Sequence, residues 1–133
     1  MILNVVAAII QYEGKLFIAR RPLGKSMGGK WEFPGGKIEN GEPQCEALVR
    51  EIYEELALNI KVGKRLGEYT TTINSKLTIK LSCFFASVIG DLHALTLNEH
   101  EEGGWCSLDD LASMDWASPD LPAVSDVRKY FSS

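Results

Sequence analysis

The strongest chemical signal in the chain is an acidic segment that follows a pair of glycines. Residues 35–56, GGKIENGEPQCEALVREIYEEL, contain six glutamates, one arginine and three glycines. We expect a helix from about Pro43 to Leu56, because proline suits the first helical turn, where its missing N–H is not needed. At about 100° per residue, this helix places Glu51, Glu54 and Glu55 beside one another.

Two interpretations of these glutamates are open: a solvated acidic face, or a site for a cation. Like charges repel at this spacing, and Glu54 and Glu55 fall in the last turn, where the helix dipole disfavours anions. An arrangement that opposes stability is typical of a functional site. Ligands that offer only oxygen suit Mg²⁺ or Mn²⁺ rather than zinc, and the glycine pair lets a backbone carbonyl approach the ion or a phosphate.

The helix must also pack against a core. Its predicted apolar arc is formed by Cys45, Leu48, Val49, Ile52 and Leu56. Before it, the pattern predicts a buried strand over 3–11, a turn, a return strand over 16–21, a loop over 22–30, and a short strand over 31–33 that ends at Pro34 and the glycine pair.

After the helix, a second hairpin is expected, with arms over 66–73 and 77–89. A long polar connection over 90–104 follows, and then a short strand over 105–108. The chain closes with a helix over 107–113 capped by Ser107, and one over 118–131 with Ser118 as cap and Pro119 in its first turn. Strands mixed with a few helices favour an α/β class with a helix–sheet–helix layering.

Composition limits the functional class. The 133 residues favour one domain over the whole chain, 45% are hydrophobic, and the formal net charge is −4. Acidity argues against a nucleic acid polymer as partner, yet it is compatible with a free nucleotide whose phosphates are carried by metal ions. The apolar start is too short to span a membrane, and three cysteines without CxxC spacing indicate reduced thiols in a cytoplasmic protein.

The spacing of the acidic segment closely resembles the Nudix box, G-x5-E-x7-R-E-U-x-E-E-x-G-U, where U is aliphatic. Gly36, Glu42 and the run REIYEE at 50–55 occupy its positions, followed by Ala57 and Leu58. The pattern's final glycine is Ala57 here; if it is a left-handed helix cap, alanine costs roughly 1 kcal/mol.

The resemblance extends over nearly the whole chain, through RRP…WEFPGGKIE and NEHEEGGWCSLDDL…ASPDLP. These segments are similar to the MutT-type nucleoside triphosphate pyrophosphohydrolases, above all to the bacterial CTP pyrophosphohydrolase branch. The resemblance implies an α/β/α sandwich with a mixed sheet between helices. It further implies hydrolysis of a nucleoside triphosphate to the monophosphate and pyrophosphate with Mg²⁺ or Mn²⁺, by a monomer or homodimer.

By position in the motif, the resemblance also implies site residues. The metal would be bound by Gly35, Glu51, Glu54, Glu55 and Glu99. Catalysis would depend on Glu51 as general base, with Arg50 and Glu54. The substrate would contact Arg21, Glu32, Phe33, Pro34, Gly35 and Asp120, although core packing competes as an explanation for Phe33.

Asp120 is the residue expected to select the base. An ionised aspartate accepts hydrogen bonds and suits an exocyclic amine such as cytosine N4, which favours CTP, dCTP or a modified dCTP. A protonated aspartate in a dry pocket could instead donate to a guanine carbonyl, which would fit an 8-oxo-dGTP diphosphatase. As a residue of a first helical turn it could also do no more than favour the dipole. A non-hydrolysing nucleotide-binding module is the remaining alternative, disfavoured by the intact glutamate set.

Overall fold

A mixed β-sheet organises the molecule, and β1 (Ile2–Tyr12) lies at its centre. The computed structural model describes residues 1–91, 95 and 102–132. The predicted first hairpin is confirmed, since β2 (Lys15–Arg20) pairs antiparallel with β1. On its other edge β1 pairs in parallel with β6 (Leu77–Ile89), from Ile2 opposite Thr78 to Gln11 opposite Ser87.

The second predicted hairpin is also confirmed, with a longer first arm. β5 (Asn59–Asn74) runs antiparallel to β6 and forms one end of the sheet order β3-β2-β1-β6-β5. β3 (Trp31–Glu32) pairs with β2, as does β7 (Glu102–Ser107). β7 therefore begins three residues before the predicted strand, inside the segment expected to be a polar connection.

One strand was not predicted. β4 (Gly35–Lys37) pairs antiparallel with β1, with Val5 opposite Lys37 and Ala7 opposite Gly35. Glycine is a poor strand former, so the pair was interpreted as the end of β3. The structure differs because β2 pairs with β1 only at its far end, which leaves the edge beside Val5–Ala7 to β4.

Helices cover both faces of the sheet, as the predicted α/β/α sandwich requires. Along β1, Val6, Ala8 and Ile10 pack with α1 (Gln44–Leu56), whereas Ala7 and Ile9 belong to the core on the opposite face. There α2 (Leu121–Ser132) contributes Ala123, Val124 and Val127. Alternation of side chains along a strand explains how one segment serves both cores.

The ends of the helices correct two predictions. α1 begins at Gln44, after Pro43, which has extended backbone angles. The last helix is preceded by a 3₁₀ turn over Ser118–Asp120 that follows Ala117, so Ser118 is not the cap. Ser107 does precede a 3₁₀ helix over Leu108–Ser113, and its hydroxyl donates to the carboxylate of Asp110 at 2.9 Å.

Two further observations concern the chain as a whole. All three cysteines are free, and Cys83 and Cys106 are buried. In the part of the chain that the structure describes, the helices are too short or too polar to cross a bilayer.

Candidate active site

The buried stripe of α1 fixes where its glutamates lie. Its buried members are Ala47, Leu48, Ile52, Glu55 and Leu56. Cys45 and Val49 are exposed, so their place in the predicted apolar arc is wrong. The buried face of the helix is centred on Leu48, Ile52 and Glu55, at i, i+4 and i+7, and Cys45 and Val49 lie outside it. This face includes the carboxylate of Glu55, which is only 5% exposed.

The two glycines of β4 have different reasons to be glycine. A Cβ on Gly35 would overlap the carbonyl oxygen of Val6 in β1, so this position is fixed by the sheet. A Cβ on Gly36 would overlap the carboxylate of Glu51. The space beside Gly36 is therefore occupied by a functional group of α1, which places the Glu51 carboxylate directly against β4.

Arg50 connects the acidic residues of this region. Its Nε and Nη2 donate to the two carboxylate oxygens of Glu42, at 2.8 and 2.9 Å. Its Nη1 donates to Glu51 at 2.9 Å and to Glu54 at 3.2 Å, and Nη2 also donates to the carbonyl of Lys37 at 3.1 Å. The hydrogen bond from Arg50 holds the pKa of Glu42 below its usual value. Arg50 thereby relieves the repulsion between glutamates that the sequence pattern predicts.

A cleft of about 690 Å³ joins this acidic end to a second, more buried end. Its acidic end is lined by Gly35, Gly36, Lys37, Glu51, Glu54 and Glu55. Its other end is lined by residues of β1, β6, the β2–β3 loop, the connection between β3 and β4, and the turn before α2, among them Leu3, Leu81, Met27, Phe33, Pro119 and Asp120. A cleft with charge at one end and apolar walls at the other suits a ligand of the same two-part character.

Asp120 is a buried polar group in the cleft wall. It is 5% exposed, and its Oδ2 accepts a hydrogen bond from the backbone N–H of Phe33 at 2.9 Å. Burial, reinforced by the charge of Glu32, raises the pKa of Asp120 to about 8, against the opposing effects of the Phe33 N–H and Arg21. A pKa raised in this way favours the protonated carboxyl at neutral pH. Of the two protonation states considered from the sequence, the raised pKa favours the protonated one, and the role of Asp120 in selecting a base stays a prediction.

The other residues expected to contact substrate differ in how well they are placed. Arg21 and Glu32 line the cleft and form an ion pair, in which Nη1 of Arg21 donates to Oε1 of Glu32 at 3.1 Å. Phe33 lines the cleft but is 2% exposed and packs on Trp116, with ring centroids 4.9 Å apart. Pro34 is buried and is not among the lining residues that the structure describes; its carbonyl accepts from Ala8 in β1 at 2.8 Å.

Sequence reasoning missed several lining residues. Leu77, Ile79 and Leu81 alternate along β6 and present one face to the cleft, and Lys25, Ser26 and Met27 come from the β2–β3 loop. The alternation along β6 was visible in the sequence, but which face would meet the cleft depends on the parallel pairing with β1. Glu99, expected as a metal ligand, lies outside the described residues.

The acidic end fits a hard divalent cation in its chemistry. Glu51, Glu54 and Glu55 offer only oxygen donors, and the contact between Gly36 and Glu51 is a close approach that a larger residue would prevent. Among the described residues, no three acidic, histidine or cysteine side chains already form a finished metal-binding group. Arg50 is instead bonded to two of these carboxylates, so binding a cation requires some rearrangement around its Nη1.

Comparison with known proteins gives consistent matches over the chain. A model of the NUDIX domain matches residues 2–127. The CTP pyrophosphohydrolase of Escherichia coli K12 is 37% identical over 123 residues, which cover 92% of this chain and 88% of that protein. An 8-oxo-dGTP diphosphatase of Haemophilus influenzae is 36% identical over 109 residues, covering 78% and 75%. The solution structure of the E. coli ORF135 protein superposes with a TM-score of 0.82 at 35% identity, covering 95% and 88%.

Proposed function

The chain belongs to the Nudix family of hydrolases, and from this premise we propose that it cleaves a nucleoside triphosphate to the monophosphate and pyrophosphate, with a cytosine nucleotide as preferred substrate. The observation that carries the proposal is the single cleft that joins the glutamates of α1 to the buried carboxyl of Asp120. The acidic end suits phosphates with their cations, and the apolar end suits a base. The proposed partner is thus a free nucleotide rather than a polymer or a membrane; the oligomeric state and compartment stay predictions.

The acidic end supplies the proposed hydrolytic groups. Glu51, Glu54 and Glu55, with the Gly35 carbonyl, would hold Mg²⁺ or Mn²⁺, and Glu99 stays a further predicted ligand. Such an ion neutralises phosphate charge and makes bound water more acidic. Glu51 is the proposed general base, which takes the proton of the water that attacks phosphorus. Arg50 positions Glu51 and Glu54 through its hydrogen bonds to both.

A protonated Asp120 is compatible with a cytosine base for a reason other than the one the sequence suggested. Because Oδ2 already accepts from Phe33, the proton is best placed on Oδ1, which can donate into the cleft. A neutral carboxyl offers a donor beside an acceptor. Cytosine presents the complementary edge, an acceptor at N3 beside a donor at N4. Guanine presents the same order, with the acceptor O6 beside the donor N1, so the preference for cytosine rests on the similarity to the CTP pyrophosphohydrolase.

An oxidised guanine nucleotide is the second candidate, and one observation favours it. The same Oδ1 proton can be donated to a single carbonyl such as O6 of guanine. An 8-oxo-dGTP diphosphatase of H. influenzae is, moreover, 36% identical to this chain, although over a shorter segment than the CTP pyrophosphohydrolase of E. coli at 37%. Under this candidate the fold and the hydrolytic groups are unchanged, and only the base differs.

Pyrophosphate release from a panel of triphosphates tests the proposal. The panel contains CTP, dCTP, 5-methyl-dCTP, dGTP and 8-oxo-dGTP, each with Mg²⁺, with Mn²⁺ and with chelator. Release that requires metal and is fastest with the cytosine members is the expected result. Preference for 8-oxo-dGTP would replace the substrate and keep the reaction. If no member is hydrolysed but calorimetry shows nucleotide binding, the chain is a binding module and the proposed reaction is wrong.

A further inference from the structure

The loop between β2 and β3 brings a methionine to the base end of the cleft. Residues 21–30 form this loop, and Lys25, Ser26 and Met27 line the cavity from it. Met27 is half-buried and packs against the same core that contains Phe33 and Leu81. Its position raises the question of whether it only fills space or acts on the ligand.

The loop has a defined shape, since its own backbone closes successive turns. The backbone N–H of Gly28 donates to the carbonyl of Lys25 at 3.0 Å, and the N–H of Gly29 donates to the carbonyl of Arg21 at 2.9 Å. The N–H of Lys30 donates to the carbonyl of Met27 at 3.2 Å. A Cβ on Gly28 would overlap the carbonyl oxygens of Pro22 and Leu23, so the two sides of the loop backbone are in close contact at this point. Met27 is therefore held in place by a compact loop.

Arg21 ties this loop to the sheet. Its Nε donates to the carbonyl of Ser26 at 2.8 Å, while its Nη1 is bonded to Glu32 in β3. Ser26, which precedes Met27, is thus held by the side chain of Arg21. Nε of Arg21 thus holds the loop and Nη1 holds β3, while the contact of Arg21 with substrate stays a prediction.

The backbone of Met27 is strained. Its φ is +55°, a left-handed conformation that is unfavourable for a residue with a Cβ and favourable for glycine. Gly28 and Gly29 follow it, so a glycine in place of Met27 would also suit this loop. Left-handed residues with a side chain occur at ligand-binding sites and also at turns and helix ends, as at Glu13 and Ala57, so the case for Met27 depends on its place in the cleft.

The side chain of Met27 reaches the element that carries Asp120. The hydroxyl of Ser118 donates to the sulfur of Met27 at 3.9 Å, and Ser118 opens the 3₁₀ turn that ends at Asp120. Met27, Pro119 and Asp120 all line the same cleft. The thioether therefore spans from the loop to the turn that holds the proposed base-reading group.

We infer that Met27 is a specificity-determining residue, which closes the base end of the cleft over Asp120 and limits the size of the base that can pair there. The inference rests on the proposed function in taking the ligand to be a nucleotide. A flexible, polarisable thioether packs well against a flat aromatic ring, and its length restricts the room for a purine. Arg21 acts as a positioning residue for it.

Substitutions at Met27 test this inference through a ratio rather than a rate. In Met27→Ala the ratio of kcat/KM for dCTP to kcat/KM for 8-oxo-dGTP should fall roughly ten-fold, in line with the loss of a few methylene-sized contacts. Met27→Leu, which keeps the volume, should retain the ratio. Met114→Ala is the matched control, because Met114 is also half-buried against this core but does not line the cleft.

The outcomes separate a specificity role from a structural one. An equal loss for both substrates in Met27→Ala, or an unchanged ratio, overturns the inference. Calorimetry of CMP and GMP in the presence of chelator gives a readout independent of turnover. If the wild-type protein hydrolyses no triphosphate, the proposed function fails, whereas preference for CMP that is lost in Met27→Ala still supports the role of Met27. Equal CMP-to-GMP ratios in both proteins overturn it.

Discussion

Arg50 and Glu42 form a two-point ion pair, in which Nε and Nη2 of the guanidinium bind the two carboxylate oxygens at 2.8 and 2.9 Å. Glu42 lies before α1 and Arg50 within it, so the pair fixes the guanidinium at one orientation. The remaining nitrogen, Nη1, is thereby directed at Glu51 and Glu54. A planar guanidinium can bind Glu42 at two points and still donate to Glu51 and Glu54, whereas the single ammonium group of a lysine cannot hold this fixed orientation.

Arg50→Lys should lower kcat by about a hundredfold, because the proposed base and ligand lose their common anchor and small displacements of catalytic groups are costly. Steady-state kinetics with the best triphosphate measures this. Arg65→Lys is the control, since Arg65 forms an exposed pair with Glu68 at 2.7 Å on β5. Equal effects of the two substitutions would contradict the positioning role of Arg50.

Glu51→Gln should lower kcat by about a thousandfold if Glu51 is the general base, the range expected when a positioned base is removed. Kinetics are measured over a titration of Mg²⁺, because recovery at high metal would indicate a lost ligand instead of a lost base. Glu46→Gln, in the exposed first turn of the same helix, should have no effect. Near-normal turnover of Glu51→Gln would remove Glu51 from the mechanism.

The adjacent glycines of β4 should respond differently to the same substitution. In Gly35→Ala the Cβ meets the backbone of β1, so the free energy of unfolding should fall by about 2 kcal/mol or more. In Gly36→Ala the Cβ meets the Glu51 carboxylate, so kcat should fall by roughly a hundredfold with stability largely retained. Urea denaturation and kinetics on both variants decide this. Loss of stability in both, with activity following stability, would contradict it.

The protonation of Asp120 predicts a specific dependence on pH. Because the pKa is raised to about 8 in the folded state, kcat/KM for dCTP should decline as pH rises through 8, when the donated proton is lost. The folded state also retains a proton that the unfolded chain releases near its ordinary pKa of about 4. The free energy of unfolding should therefore decrease between pH 4 and about 8 on account of this group.

Asp120→Asn isolates these effects, because an amide offers a donor beside an acceptor at every pH. The variant should keep dCTP hydrolysis at neutral pH, lose the decline above pH 8, and show a flatter dependence of stability on pH. Asp115→Asn, at an exposed residue that pairs with Lys30, is the control. An alkaline decline that persists in Asp120→Asn would assign it to another group.

Ala57 should be a site where stability can be gained without loss of activity. It ends α1 with φ 55° and ψ 29°, and its N–H donates to Tyr53 at 2.9 Å. Ala57→Gly relieves the left-handed strain, partly offset by the entropy of glycine in the unfolded chain, for a net gain of about 0.5 kcal/mol. Ala47→Gly, inside the same helix, should instead lower the free energy of unfolding. Chemical denaturation measures both, and a loss of stability in Ala57→Gly would be the contrary result.

Local patterns explain what could be predicted from the sequence. The strands β1, β5 and β6 are strong β formers, and α1 carries a helical stripe after a proline, so each element is specified by its own residues. The left-handed conformation at Ala57 followed from the motif position. Gly36 and Glu51 could be placed near each other only through the family resemblance, because β4 pairs with β1 for reasons that lie outside its own sequence.

Properties that depend on tertiary burial could not be predicted. The pKa of Asp120 is raised because the residue is buried beside Phe33, and the sequence leaves the depth of this burial open. Ser118 was expected to cap a helix, yet Ala117 takes that position because the chain first forms a 3₁₀ turn. Met27 in the loop had no periodic pattern to distinguish it.

The pairing of β4 with the middle of β1 has a consequence for how the protein loses activity on denaturation. β1 is the most central strand, and Gly35 lies directly opposite Ala7. The glycine strand that borders the proposed catalytic glutamates is therefore paired with the central strand of the sheet, and we expect it to unfold together with that strand. Inactivation by urea should coincide with global unfolding, without a preceding phase in which the protein is folded but already inactive.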